Sequence, residues 1–205
     1  NPVGPLAGGG RVWTIFENGP PETTIDLLIL GDGYTAEQSP TFHEDAKRLV
    51  EVLFSTPPFK ERRKDFNVRA IDTPSEDSGV DRPSDGVHRR TALGASYDIF
   101  GSERYVLTCD NAALREVAAQ APYEFVEILV NGEKYGGGGI YNLMATSSTR
   151  SGSTPYVFVH EFGHHFAALA DEYYTSDVAY ETAAPTVEPW EPNITALLDG
   201  SSLLL

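Results

Sequence analysis

A chain of 205 residues with 40% hydrophobic content is long enough to bury a core without staples, so a single domain over 1–205 is expected. Its 15 basic and 30 acidic residues leave a net charge of −15, which argues against nucleic acid as a partner, because phosphate recognition needs clustered cations. The single cysteine, Cys109, excludes an intrachain disulfide, and no apolar run is long enough for membrane insertion.

Residues 1–24 read as a lead-in. Asn1 to Gly10 is rich in Pro and Gly, and Arg11 to Phe16 alternates as a strand does. The chain begins at Asn1 rather than Met, which reads as a mature or trimmed piece. Ile25 to Leu30 is a short apolar run closed by Gly31-Asp32-Gly33, the pattern of a buried strand. Ser39-Pro40 starts a helix, with Phe42, Ala46, Leu49, Val50 and Leu53 at helical spacing, and Pro57-Pro58 ends it. Phe66 to Ile71 is a further strand.

Asp72 to Arg90 is polar and carries Asp77, Asp81 and Asp85. Without the spacing of a calcium loop it reads as a solvated loop. Lys60 to Lys64 and Arg89-Arg90 are short basic stretches of surface. Tyr105 to Thr108 predicts a strand that leaves Cys109 a buried, inert thiol. Ala112 to Ala119 predicts a helix and Phe125 to Val130 a strand. Gly136-Gly-Gly-Gly139-Ile-Tyr-Asn142 lacks the lysine of a phosphate loop, and reads as a glycine-rich start to a strand whose edge can pair with an extended peptide. Gly139, Ile140 and Tyr141 are therefore candidate substrate-binding residues. After Tyr174 the chain turns polar and Pro-rich, so 175–205 reads as a C-terminal segment. The order predicts a mixed sheet covered by helices, an α/β (α+β) fold.

The chemistry concentrates in Tyr156 to Tyr173. His160-Glu161-Phe-Gly-His164 sits in an apolar helix predicted to start near Ser153 or Thr154, with Pro155 in its first turn. Residues four apart share a helix face, so His160 and His164 can aim two imidazoles at one ion, with Glu161 beside them to hold a water. One zinc suits neutral imidazoles and keeps a position open for water. Two histidines and a glutamate in an apolar helix are costly unless paired, and a metal supplies the pairing. His165 lies about 100° further round and reads as a packing residue.

The motif helix, Asp32-Gly-Tyr34-Thr35, Thr91-Ala-Leu-Gly94, the glycine run and Leu169-Ala-Asp171-Glu172-Tyr173 together resemble the IgA peptidase family of zinc metallopeptidases, over roughly residues 25 to 200. The resemblance implies a zincin-like catalytic domain, secreted or at the cell surface, that hydrolyses peptide bonds of protein or peptide substrates with one catalytic zinc. It also implies a longer chain, cut short here. Ala167 and Ala170 stand where a metzincin has its glycine and third histidine, so that longer motif is absent. Asp171 is the nearest carboxylate for a third ligand. In a straight helix it would lie about 10 Å beyond His164, so the helix has to end near Ala168 for Asp171 to swing in. Glu172, Glu181, Glu188 and Glu191 are the other options. Glu161 is the expected general base, and Tyr173 or Tyr174 a candidate oxyanion donor. The rival readings are a zinc hydrolase of a non-peptide bond, and a surface protein- or glycan-binding module with a non-catalytic zinc site.

Overall fold

The structure is a computed structural model that describes residues 10–173 and 188–195. Six strands form one mixed sheet in the order β1-β3-β2-β6-β8-β7. They are β1 (Arg11–Phe16), β2 (Ile25–Asp32), β3 (Phe66–Asp72), β6 (Phe125–Val130), β7 (Gly137–Ile140) and β8 (Met144–Ser148). The central strands β3, β2, β6 and β8 run parallel, and β1 and β7 close the two edges antiparallel. Such a centre needs strands that are apolar on both faces. β2 supplies one: Leu27 and Ile29 enter the core on one face, Leu28 and Leu30 the core on the other.

Helices cover both faces. On one side lie α1 (Ser39–Leu53), the short α2 (Phe59–Arg62) and α4 (Thr154–Ala167). Phe42, Ala46, Leu49, Val50 and Leu53 of α1 share this core with Phe158 and Phe162 of α4. On the other side, α3 (Asn111–Ala118) contributes Leu114, Val117 and Ala118. The Asp110 side chain caps α3 by accepting from the Ala113 N–H at 2.9 Å.

Two expectations change. The strand predicted over Tyr105 to Thr108 shrinks to β5 (Leu107–Thr108), which pairs with β4 (Ala95–Ser96) in a separate two-stranded ribbon. Cys109 is exposed rather than buried, because the chain leaves β5 at Thr108 to enter the α3 cap. The acidic loop turns its carboxylates onto its own backbone: Asp77 accepts from the Arg90 N–H and Asp81 from the Arg89 N–H. No helix among the described residues is long and apolar enough to cross a membrane.

The glycine run is explained by packing. α4 lies directly on edge strand β7. A Cβ on Gly137 would come within 2.5 Å of Val157 Cγ1 and 2.9 Å of Glu161 Cγ. One on Gly139 would overlap the Glu161 carbonyl oxygen and stand 2.8 Å from His164 Cβ. Only glycine lets the helix approach this closely. His165 then pins the helix down, its Nε2 accepting from the Val126 N–H and its Nδ1–H donating to Ile140 O, both at 3.1 Å. With β6 and β7 around it the ring is buried, which lowers its pKa to about 4 and keeps it neutral.

Candidate metal centre

α4 carries His160 and His164 one turn apart, with their Nε2 atoms 3.1 Å from each other. The helix stops at Ala167. Ala168 adopts the left-handed conformation (φ 57°) and turns the chain back, so that the Ala168 N–H reaches His164 O at 3.1 Å. This reversal brings Asp171 over the helix end. Its Oδ1 lies 3.1 Å from His160 Nε2 and 3.1 Å from His164 Nε2. The returning chain also orients a ring: His164 Nδ1 bonds Leu169 O. A proton on Nδ1 leaves Nε2 with its lone pair facing the other two donors.

Three donor atoms thus form a triangle with 3.1 Å edges. Two ligands on a tetrahedral zinc, each bonded at about 2.0–2.1 Å, lie about 3.3 Å apart. The triangle fits such an ion. Asp171 Oδ1 is shut off from solvent and accepts no hydrogen bond, although two imidazoles stand beside it. An orphaned buried carboxylate oxygen is costly in a folded chain, and a cation at this point resolves the cost. The residues present therefore fit a zinc ion.

Two of the other acidic candidates, Glu172 and Glu188, are engaged by side chains outside the triangle. Glu172 accepts from the Asn193 side chain at 2.9 Å, and Glu188 accepts from the Thr195 hydroxyl at 2.8 Å. Glu191 is nearly buried in the cleft wall. Glu181 and Tyr174 lie outside the described residues.

Glu161 brings a carboxylate oxygen within 4.8 Å of both imidazoles and accepts a hydrogen bond from the Gly139 N–H. Burial, and then the Asp171 charge, push its pKa up to about 8, against the opposing pull of Arg104. Burial and the neighbouring His164 lower the pKa of His160, which holds it in the neutral, ligating form. The His160 ring stacks on Tyr156 at 5.5 Å, and the Tyr173 ring lies tilted to it at 6.2 Å. Desolvation and Asp171 raise the Tyr173 pKa, so its hydroxyl stays a donor.

The centre lies in a cleft of about 560 Å³ whose walls include Tyr135, Tyr156, Tyr173 and Arg104. Of the three candidate substrate residues, Gly139 lines this cleft, Ile140 packs against the core, and Tyr141 is exposed and faces Trp190 at 5.9 Å. The backbone near Ile140 is already engaged: Ile140 O accepts from His165, and the Asn142 N–H donates to His165 O. An antiparallel peptide along Ile140 to Asn142 has to compete with those bonds.

Sequence reasoning missed three residues here. Arg104 stands just before the stretch read as a strand from Tyr105; its guanidinium sits 5.1 Å over the Tyr105 ring and faces the cleft. Glu127 is fully buried on β6, on the face that α4 covers, and neither carboxyl oxygen has a partner. Its signal was present as the one charge in Phe125-Val-Glu-Ile-Leu-Val130. Asn193 bonds the segment around Asp171, and nothing local in the sequence points to it.

Paired imidazoles, a carboxylate and a recessed glutamate in a cleft can support metal-assisted hydrolysis, and that is the class of chemistry the site suits. Residues 14–203 match the family IgA peptidase M64, and the chain belongs to that family. It is accordingly a peptidase, with a mixed α/β fold. A search of curated proteins found no match.

Proposed function

We propose that this chain is a zinc-dependent endopeptidase that hydrolyses peptide bonds of extracellular proteins, acting from a secreted or cell-surface position. The observation that carries this reading is the 3.1 Å triangle of His160 Nε2, His164 Nε2 and Asp171 Oδ1 beside Glu161, within a member of a peptidase family. These three atoms would hold one zinc in a zincin-like domain. Zinc there would supply Lewis acidity, bringing a water's pKa to about 7 and polarising the scissile carbonyl.

Glu161 is the general base. The pKa of about 8 belongs to the metal-free site, and a dication beside Glu161 would lower it and favour the carboxylate. That carboxylate takes a proton from the attacking water, the water oxygen bonds to the carbonyl carbon, and the C–N bond breaks as Glu161 returns the proton to the leaving amine. The Gly139 N–H anchors the carboxylate during both transfers. His164 is held by its Nδ1 bond to Leu169 O, so its ligating nitrogen needs no reorganisation. The Tyr173 hydroxyl, which also bonds the Asp171 carboxylate, is the candidate donor to the oxyanion. Substrate lies in the cleft against Gly139 and the tyrosine walls, with Ile140 and Tyr141 flanking. A binding module with a non-catalytic zinc would have no use for a recessed base at Glu161.

The test is hydrolysis of a peptide library by the zinc-loaded protein, with Glu161→Gln in parallel. A loss of about 10²–10⁴-fold in rate with zinc retained is expected. Turnover unchanged in the variant, or none by a fully loaded wild type, would sink the reading.

A further inference from the structure

We propose that Asn193 is a positioning residue for the metal centre: it latches the loop that carries Asp171, and so sets the affinity for the ion. The proposal rests on the zinc reading above.

Asp171 belongs to no helix or strand. It lies in the stretch Leu169–Tyr173, which follows the left-handed turn at Ala168. A ligand carboxylate has to be held within about 0.5 Å of its working position, and ordering each free backbone residue costs about 1–2 kcal/mol. A loop with no ladder of its own therefore needs an external brace. Asn193 provides it from a segment more than twenty positions away. Its Oδ1 accepts from the Ala170 N–H at 2.8 Å, and its Nδ2 donates to Ala170 O at 3.0 Å. The same Nδ2 donates to Glu172 Oε1 at 2.9 Å. One side chain thus grips the residue before Asp171 and the residue after it. The amide orientation is forced, because Ala170 presents one donor and one acceptor and a flipped amide would lose both bonds.

The opposite side of the loop is fixed by His164 Nδ1 on Leu169 O. Asp171 is therefore held between a bond to the helix it follows and a pair of bonds to Asn193. The latch segment also shapes the cleft: Glu191 and Ile194 line it, and Trp190 faces Tyr141 at 5.9 Å. The site is assembled from two stretches of chain, and Asn193 joins them.

The experiment uses the full chain with Asn193→Ala and Asn193→Asp, each in the wild-type and the Asp171→Ala backgrounds. Zinc affinity is read by competition with a chromophoric chelator, the ligand set by the visible spectrum of the cobalt-substituted protein, and folding by the thermal transition in EDTA. Asn193→Asp has the same shape and keeps the acceptor for Ala170 while losing both donated bonds, so it carries the test if Asn193→Ala does not fold. Loss of the brace should weaken zinc binding about 10–100-fold, as for other residues that orient a ligand. The cobalt spectrum should change, and the loss should vanish once Asp171 is alanine. Folded variants whose affinity stays within about twofold of wild type overturn the latch alone. So does an equal loss in both backgrounds, since Asn193 would then not act through Asp171. A wild-type chain that takes up no zinc overturns the metal centre and the latch with it.

Discussion

Asp32 and Asp171 are both acids with an oxygen enclosed by protein, yet the fold treats them in opposite ways. Asp32 ends β2 with its carboxylate fully engaged. It accepts from the Leu93 N–H at 2.9 Å, the Ala95 N–H at 2.8 Å and the Thr91 hydroxyl at 2.9 Å. These bonds knit the 91–95 loop to the sheet. Asp171 has its Oδ1 shut away with no hydrogen bond, although two imidazoles stand 3.1 Å off. A satisfied buried carboxylate is a structural device; an unsatisfied carboxylate oxygen that shares its place with two imidazoles marks a place suited to a cation. Burial raises the pKa of Asp32 even so, because desolvation outweighs the bonds it accepts.

Substitution should separate the two acids sharply. Asp171→Ala is expected to weaken zinc binding by more than about 100-fold, beyond the loss of an orienting partner. The thermal transition in EDTA should stay where it is or rise. Asp32→Ala should do the reverse. It strands the buried N–H groups of Leu93 and Ala95, at about 1–3 kcal/mol each, for a total of about 3–5 kcal/mol and a fall in Tm of roughly 10 °C. Zinc affinity of the folded fraction should be unchanged. Chelator competition and calorimetry on both variants would check this, and a loss of affinity in Asp32→Ala would break the contrast.

A steric version of the same contrast lies at Gly139. Adding a methyl there presses on the Glu161 carbonyl and His164 Cβ, and overpacking of this kind costs about 1–3 kcal/mol. Gly139→Ala should lower Tm and activity together, whereas alanine at exposed Gly86, which has open space around it but a positive φ, should lower Tm alone.

Much of this site could be read from the sequence, and the part that could not has a physical cause. The spacing of His160 and His164 fixes their common face in any helix, and Pro155 marks the helix start. The helix end was harder, because the left-handed residue is Ala168 and carries none of the usual glycine punctuation. Asp171 was thus favoured over four other acids only as the carboxylate nearest to His164. The glycine run was recognised as a strand start, but its purpose depends on α4 pressing on β7, a tertiary contact that no local pattern encodes. Asn193 was invisible for the same reason. The core strands β2, β3 and β6 were plain from their apolar runs. The Tyr105 to Thr108 stretch misled, because β-rich composition does not say which sheet a strand joins.

Glu127 sharpens the comparison from a third side, since it is an unpartnered acid with no cation beside it. Alternation along β6 puts Phe125, Glu127 and Leu129 on the face that α4 covers, so the carboxyl sits in an apolar layer. Desolvation first, and then the Glu161 charge, raise its pKa well above 4.5. The folded protein therefore keeps this proton at pH values where the unfolded chain has released it. Stability from this group is fully present below about pH 4.5, and is lost as pH rises toward the folded pKa. Glu127→Gln keeps the shape and removes the titration. The variant should match wild type near pH 4 and gain on it by about 1.4 kcal/mol for each pH unit between 4.5 and the folded pKa, where the gain levels off. Thermal melts of both proteins in EDTA from pH 4 to 8 would show two curves that diverge with pH. Parallel curves would mean that Glu127 ionises freely in the folded state, and that its layer under α4 is wetter than its burial implies.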